Sequence, residues 1–266
     1  MQIENRLVLQ SCPLILAGFV LMGLLAGCAA FSGGGGGNAS SEQHLQKAQQ
    51  AIDRGDFQTA YEQLNQALTI NPKDPEIHRN LGWLYIYSGK PDEAKRQLDA
   101  LHEIAPEAPG TYHLRGGLLS HLNQQQDAVE NFEKALDATE EGGQLPEESE
   151  TQEALKSRLY FDMATSLSAL QEHDDALKTL KEGFRYVSKE DRADQTNFQM
   201  AICSEHYSLK EFDNAYEACE KAMVLTEDEE EKERINDFIQ NMKLAEELET
   251  LPPADAEEPA AEEESN

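Results

Sequence analysis

HRNLGWLYIYSGKPDEAKRQLDALHEIAP, residues 78–106, is the stretch on which the reading of the fold turns. Apolar residues stand at helical spacing on both sides of a short Gly/Pro break, the mark of two amphipathic helices joined as a hairpin. Gly82 and Ala94 are small, as two closely crossing antiparallel helices require, and Leu81, Tyr85 and Leu98 supply the volume around such a crossing. Pro106 then ends the second helix, since proline has no N–H to carry it on.

The hairpin recurs. Ala60, Ala94 and Ala128 stand 34 and 34 residues apart, followed by Ala176 after 48 and Ala215 after 39. Five units result, at about 41–74, 75–108, 109–142, 157–190 and 196–229. The surplus of the two long intervals falls ahead of the first helix of units four and five. Residues 140–150 read as a Gly/Pro/Glu-rich loop, and Ser188 reads as a helix N-cap with Asp191 three positions on, which predicts a lengthened first helix in unit five. Arg115 stands where unit two has Leu81, which predicts either a weakened core or a rotated helix in unit three.

His78, Leu81, Gly82, Tyr85, Ala94, Leu98 and Pro106 follow in order the 34-residue pattern of the tetratricopeptide repeat (TPR), with only His78 and Leu98 departing in type. The chain resembles that family over residues 42–249. The resemblance implies an all-α fold: a right-handed TPR superhelix of about five helical hairpins plus a C-terminal capping helix. It also implies a concave groove, lined by the first helix of each hairpin, that receives an extended peptide or a helix of a partner protein. Ile235, Phe238, Ile239, Met242 and Leu248 recur at helical spacing after an acidic start, as a helix covering the open end of a repeat stack should. Residues 250–266, acidic and proline-containing with nothing apolar to pack, read as a disordered tail.

Composition agrees with helices: Ala, Leu, Glu, Gln and Lys dominate, and no stretch alternates apolar and polar residues as a half-buried strand would. Against 51 acidic residues stand 22 basic ones, a formal charge of −29 that repels a phosphate backbone and argues against nucleic acid as a partner.

Residues 12–26, CPLILAGFVLMGLLA, are an apolar run of signal-peptide length, short of the roughly 20 residues that span a bilayer. Leu25-Ala26-Gly27-Cys28 follows and resembles the lipobox of bacterial lipoproteins. That resemblance implies a signal peptide of residues 1–27, cleavage before Cys28, acylation of its sulfur and new amino group, and a membrane anchor of two or three acyl chains. With Ala29 rather than Asp next in line, it implies an outer-membrane site facing the periplasm. Residues 28–41 then hold the lipidated Cys28 and a Gly-rich tether.

Candidate groove residues lie just off the small mid-helix position of the first helices: Arg79, Trp83 and Tyr87 in unit two, His113 in unit three, then Phe161 and Tyr207. Trp83 is the only tryptophan, and either anchors a partner or packs between hairpins as core. Cys203 and Cys219 fall on facing helices of one hairpin, where a disulfide and two small buried thiols are equally compatible with the pattern. The seven histidines show no metal-ligand spacing, and no nucleophile elbow or phosphate-binding loop is present, so no catalytic residue, metal or cofactor is expected. The layout is similar to that of small TPR lipoproteins that act as pilotins for the secretin of type IV pili. Adaptors of peptidoglycan hydrolases or synthases are an alternative, and a small-ligand receptor or enzyme the contrasting class.

Overall fold

The computed structural model describes residues 40–142 and 151–250, with side chains through residue 247. Eleven helices follow one another in these residues: α1 (Ser41–Asp53), α2 (Phe57–Ile70), α3 (Pro75–Tyr87), α4 (Pro91–Ile104), α5 (Pro109–His121), α6 (Gln125–Glu140), α7 (Gln152–Ala169), α8 (His173–Phe184), α9 (Arg192–Ser208), α10 (Phe212–Leu225) and α11 (Glu229–Thr250). The described residues contain no strand. Helices pair in sequence as five antiparallel hairpins, each second helix packs on the first helix of the next hairpin, and α11 closes the stack against α10.

The hairpin turn is itself a repeated device. Gly55, Gly89, Asn123, Gln171 and Lys210 all adopt positive φ, between 61° and 71°. Each stands five residues before the repeat alanine, so the turn obeys the same 34, 34, 48 and 39 spacing. The left-handed residue ends the first helix and returns the chain, a conformation open to glycine and costly for a side chain with Cβ. Pro75, Pro91 and Pro109 occupy the first position of α3, α4 and α5, where a missing N–H costs nothing.

Inside the stack the repeat alanines 60, 94, 128, 176 and 215 are fully buried. His78, the departure from the tryptophan of the pattern, earns its place by hydrogen bonding. Its Nδ1 pairs with Gln97 Oε1 at 2.8 Å and its Nε2 with the Pro72 carbonyl at 2.9 Å. One period earlier, His44 Nδ1 meets Gln63 Oε1 at 2.9 Å, so the first two hairpins carry the same polar tie between their helices.

Several boundaries differ from expectation. The first helix of unit four starts at Gln152, capped by the Thr151 hydroxyl, which accepts the Ala154 N–H at 3.1 Å. α9 begins at Arg192 with Asp191, not Ser188, as its cap. The Ser188 hydroxyl instead accepts the Glu190 N–H in the preceding turn. α7 and α9 run 18 and 17 residues against 13 in α1, α3 and α5, so the surplus lengthens both first helices at their N-terminal ends. α6 extends through Glu140, followed by a turn at residues 141–142. In α5 the buried leucines are Leu114 and Leu118, the first of them one position before the Arg115 site. Arg115 turns outward over the Tyr112 ring at 5.7 Å and toward His102 Nδ1 at 3.2 Å. The buried positions of α5 otherwise keep the phase of those in α3, so the arginine is accommodated by pointing its charge away from the core.

Gly82 also serves a different neighbour from the one expected. A Cβ there would strike the Leu114 methyls of the next hairpin, while Gly116 is the glycine that admits the Phe132 ring of its own hairpin partner. The signal peptide, Cys28, residues 29–39 of the tether and residues 251–266 of the acidic tail lie outside the described residues, as does 143–150 of the loop, while Ser40 and Ser41, read as tether, cap and begin α1.

Candidate functional site

Trp83 and Tyr87 are four residues apart on α3 and so share a face. Their rings stack at 5.8 Å with planes 25° apart. Trp83 leans across to α5, where Gly117 leaves the only room for it: a Cβ at that position would run into the indole. The His113 ring lies 4.8 Å from the indole. Trp83 is therefore both a spacer between hairpins and a wall of the groove, and the Tyr87 ring beyond it is 53% exposed.

A cavity of about 130 Å³ opens beside this wall. Gln49 and Ile52 of α1 and Phe57 of α2 close one side, Asn80 and Leu84 continue the α3 face, and Arg158 and Asp162 of α7 stand opposite with His113. The Asp162 carboxylate accepts the His113 Nε2–H at 2.7 Å and ties α5 to α7 across the repeat boundary. Although Tyr87 is half exposed, the protein mass around the groove displaces water from its phenol and pushes it up to about 12, Asp162 adding to the shift and Arg158 opposing it. Asp194 on α9 is pushed up to about 6 by burial and then by Asp191, again with Arg158 opposing. Arg158 thus lies among acids.

Three of the expected groove residues are not presented to a partner. Arg79 is 3% exposed, His113 1% and Phe161 4%. All three stand 15 residues before their repeat alanine, and this phase turns out to be the seam between successive first helices. Arg79 donates from Nη2 to Asn80 Oδ1 at 3.0 Å, and Phe161 makes an edge contact with Phe198 at 5.0 Å. Tyr207 is partly buried between Phe212 and Phe238, 6.0 Å from each, because the closing helix α11 occupies its side of the groove. Trp83 and Tyr87 remain at the open surface.

Asp162 was not singled out from sequence, and Gln49 and Asn80 were weighed only as members of a carboxylate-binding set that the chain does not match, yet a signal existed. Gln49 shares the phase of Trp83, 11 residues before the alanine, and Asn80 and Asp162 share the phase 14 before it. Polar residues recurring on a face that the repeat core does not need mark the groove. Phe57 and Ile52 carried no such mark. Cys203 and Cys219 face each other across α9 and α10 with Cα atoms 5.4 Å apart and both side chains fully buried.

Residues 51–115 and 109–141 match tetratricopeptide-repeat profiles. The hairpins within residues 51–141 are tetratricopeptide repeats. Among curated relatives, the TPR chain is 29% identical over 101 residues to a cellulose synthase operon protein C of Xanthomonas axonopodis pv. citri (strain 306), covering 37% of this chain and 7% of that protein. The TPR chain therefore spans a small part of that relative's length. Solved structures of similar fold include the Cut9–Hcn1 hetero-tetramer of the APC/C (TM-score 0.64, 15% identity, 76% of this chain and 36% of the other). They also include PilW, described as a widely conserved type IV pilus biogenesis factor (TM-score 0.59, 16% identity, 80% and 92%), and PilF of Pseudomonas aeruginosa (TM-score 0.56, 13% identity, 79% and 89%). At such identities the likeness is one of fold, and the all-α TPR superhelix is what the three share with this chain.

Proposed function

We propose that this TPR protein is a membrane-anchored scaffold of the bacterial envelope that binds a partner protein in its concave groove and assists assembly of type IV pilus or secretion machinery. TPR stacks act as protein-interaction scaffolds, and the observation that carries the reading here is the Trp83–Tyr87 wall. Large rings stacked at an open groove are rigid amphipathic anchors of the kind that dominate binding energy at interfaces. The lipobox at Leu25-Ala26-Gly27-Cys28 supports the anchor. Overlap with PilF and PilW along most of their length supports the pilus assignment.

A photo-crosslinking residue at position 87, compared in living cells with one at Val224 on the outer surface of α10, tests the groove. One defined protein adduct from position 87 and none from 224 is expected; equal yields from both, or none from either, would reject the groove. The intact mass of the extracted protein should correspond to a chain beginning at an acylated Cys28. In a deletion strain, secretin multimers should give way to monomers, and normal multimers would reject the pilus assignment while leaving the scaffold in place.

A further inference from the structure

Cys203 of α9 and Cys219 of α10 belong to the largest buried cluster among the described residues, and neither side chain reaches water. Phe161 and Leu180 of the fourth hairpin share that cluster, as do Ile235, Ile239 and Met242 of the closing helix. The pair is thus enclosed between its two neighbours along the stack. Its Cα atoms, 5.4 Å apart, lie within the span of a disulfide.

Burial this complete bears on how such a bond can form. Thiol–disulfide exchange is a displacement at sulfur, so the attacking thiolate and the sulfur it attacks must both be reachable, and the attacker must be ionised. The closed hairpin meets neither condition. No donor can touch a sulfur that is fully covered, and an apolar core disfavours the charged thiolate. Cys219 Sγ lies 4.0 Å from the Met200 thioether, which is no base. In the open chain both obstacles vanish. The two thiols, 16 positions apart in sequence, then meet readily, because a short loop costs little closure entropy.

We propose that the Cys203–Cys219 bond is made before the fifth hairpin closes, by exchange with a disulfide-carrying oxidant that acts on the open chain, and that the hairpin and α11 afterwards shield it from oxidant and reductant alike. One cysteine thiolate displaces a thiol from the donor and forms a mixed disulfide; the second cysteine thiolate then displaces the other donor thiol. One S–S bond breaks in the donor and one forms in the chain, two electrons pass to the donor, and the two cysteine protons end on its thiols. The step needs an oxidising compartment, which the signal-peptide reading supplies, and it is independent of what the groove binds.

The full chain, purified in detergent without reductant, is treated with dithiothreitol in native buffer and in denaturing urea, and the released thiols are alkylated and counted by intact mass. Native reduction should run about 100-fold or more slower than reduction in urea. The reverse experiment starts from chain reduced in urea and returned to native buffer, where oxidised glutathione should form the bond slower than in urea by a similar factor. A reduced chain that fails to regain its helical circular dichroism would show that oxidation must come first, which is the proposed order in its strongest form. Met242→Ala, at a position 1% exposed on α11, loosens the cover and should speed native reduction about tenfold, while Tyr87→Ala in the first half leaves it unchanged. If Met242→Ala loses helical circular dichroism, the comparison of native with unfolded wild-type chain decides alone. Native reduction or oxidation within about threefold of the rate in urea, a folded Met242→Ala no faster than wild type, equal acceleration by Tyr87→Ala, or two free thiols in the extracted protein would each overturn the proposal.

Discussion

The first three hairpins and the last two solve the same packing problem differently. In α1–α6 the repeat interval is constant, the first helices are short, and the buried side chains form separate clusters, one from Ala48 to Leu84 and another from Ile86 to Leu118. Phe57, Tyr61 and Tyr87 remain exposed. In α7–α11 the first helices are about a turn longer; Leu155, Leu159, Met163, Leu167 and Ala176 join the α6 core, and a larger cluster runs from Phe161 through Phe198, Cys203 and Cys219 to Met242, with Phe184, Tyr207 and Phe238 packed on it. Lengthened helices give more surface to bury, and the closing helix covers the rest. Phe132 apart, the regular half leaves several of its aromatics at the surface, while the irregular half packs Phe161, Phe184, Phe198 and Phe238 inward.

That contrast can be broken from either side. Phe198 is fully buried between Phe161 and Phe184, so Phe198→Ala should cost about 3–5 kcal/mol, against well under 1 kcal/mol for the exposed Tyr87→Ala. Urea unfolding followed by circular dichroism measures both. A similar cost for the two would erase the distinction between halves.

We propose that in the exported protein Cys203 and Cys219 are bonded. With the two cysteines 16 positions apart in sequence, reduction should then lower stability by about 3 kcal/mol. Intact mass before and after reductant and alkylation reads the bond directly. Two alkylated thiols without reductant would show that the core of the second half holds by packing alone.

At the open half, Gly117→Ala should push the Trp83 indole off α5 and cost about 1–3 kcal/mol by overpacking. The expected sign is a shift in Trp83 emission together with lost binding at the groove. Unchanged emission would mean the indole does not lean on that glycine. The smallest effect belongs to the turns. Lys210→Gly and Gln171→Gly, which relieve a left-handed residue in the irregular half, should stabilise by about 0.5–1 kcal/mol, while Gly89→Ala in the regular half should destabilise by a similar amount. Equal and opposite midpoint shifts in urea test this pair.

Much of the architecture was legible because alanine at a helix crossing has no substitute of another size. Ala60, Ala94, Ala128, Ala176 and Ala215 therefore announce five hairpins wherever they stand. The site was legible only in part. Trp83 and Tyr87 could be found as aromatics that the repeat core does not need, but Arg79, His113 and Phe161 looked equivalent to them from the spacing and lie at the seam. A shift of four residues, about 40° of rotation beyond one helical turn, separates the two fates, and periodicity read from one chain does not resolve it.

What the sequence determined alone is local and periodic: helix type, hairpin number and net charge. These follow from volume, backbone preference and net charge, which each residue carries with it. The stacking decided which side chains reach water. Gly117 gives Trp83 its place, Asp162 meets His113 from 49 positions away, and α11 closes the groove over Tyr207. Such relations depend on the rotation between successive hairpins, a property of the assembled stack that no single repeat contains.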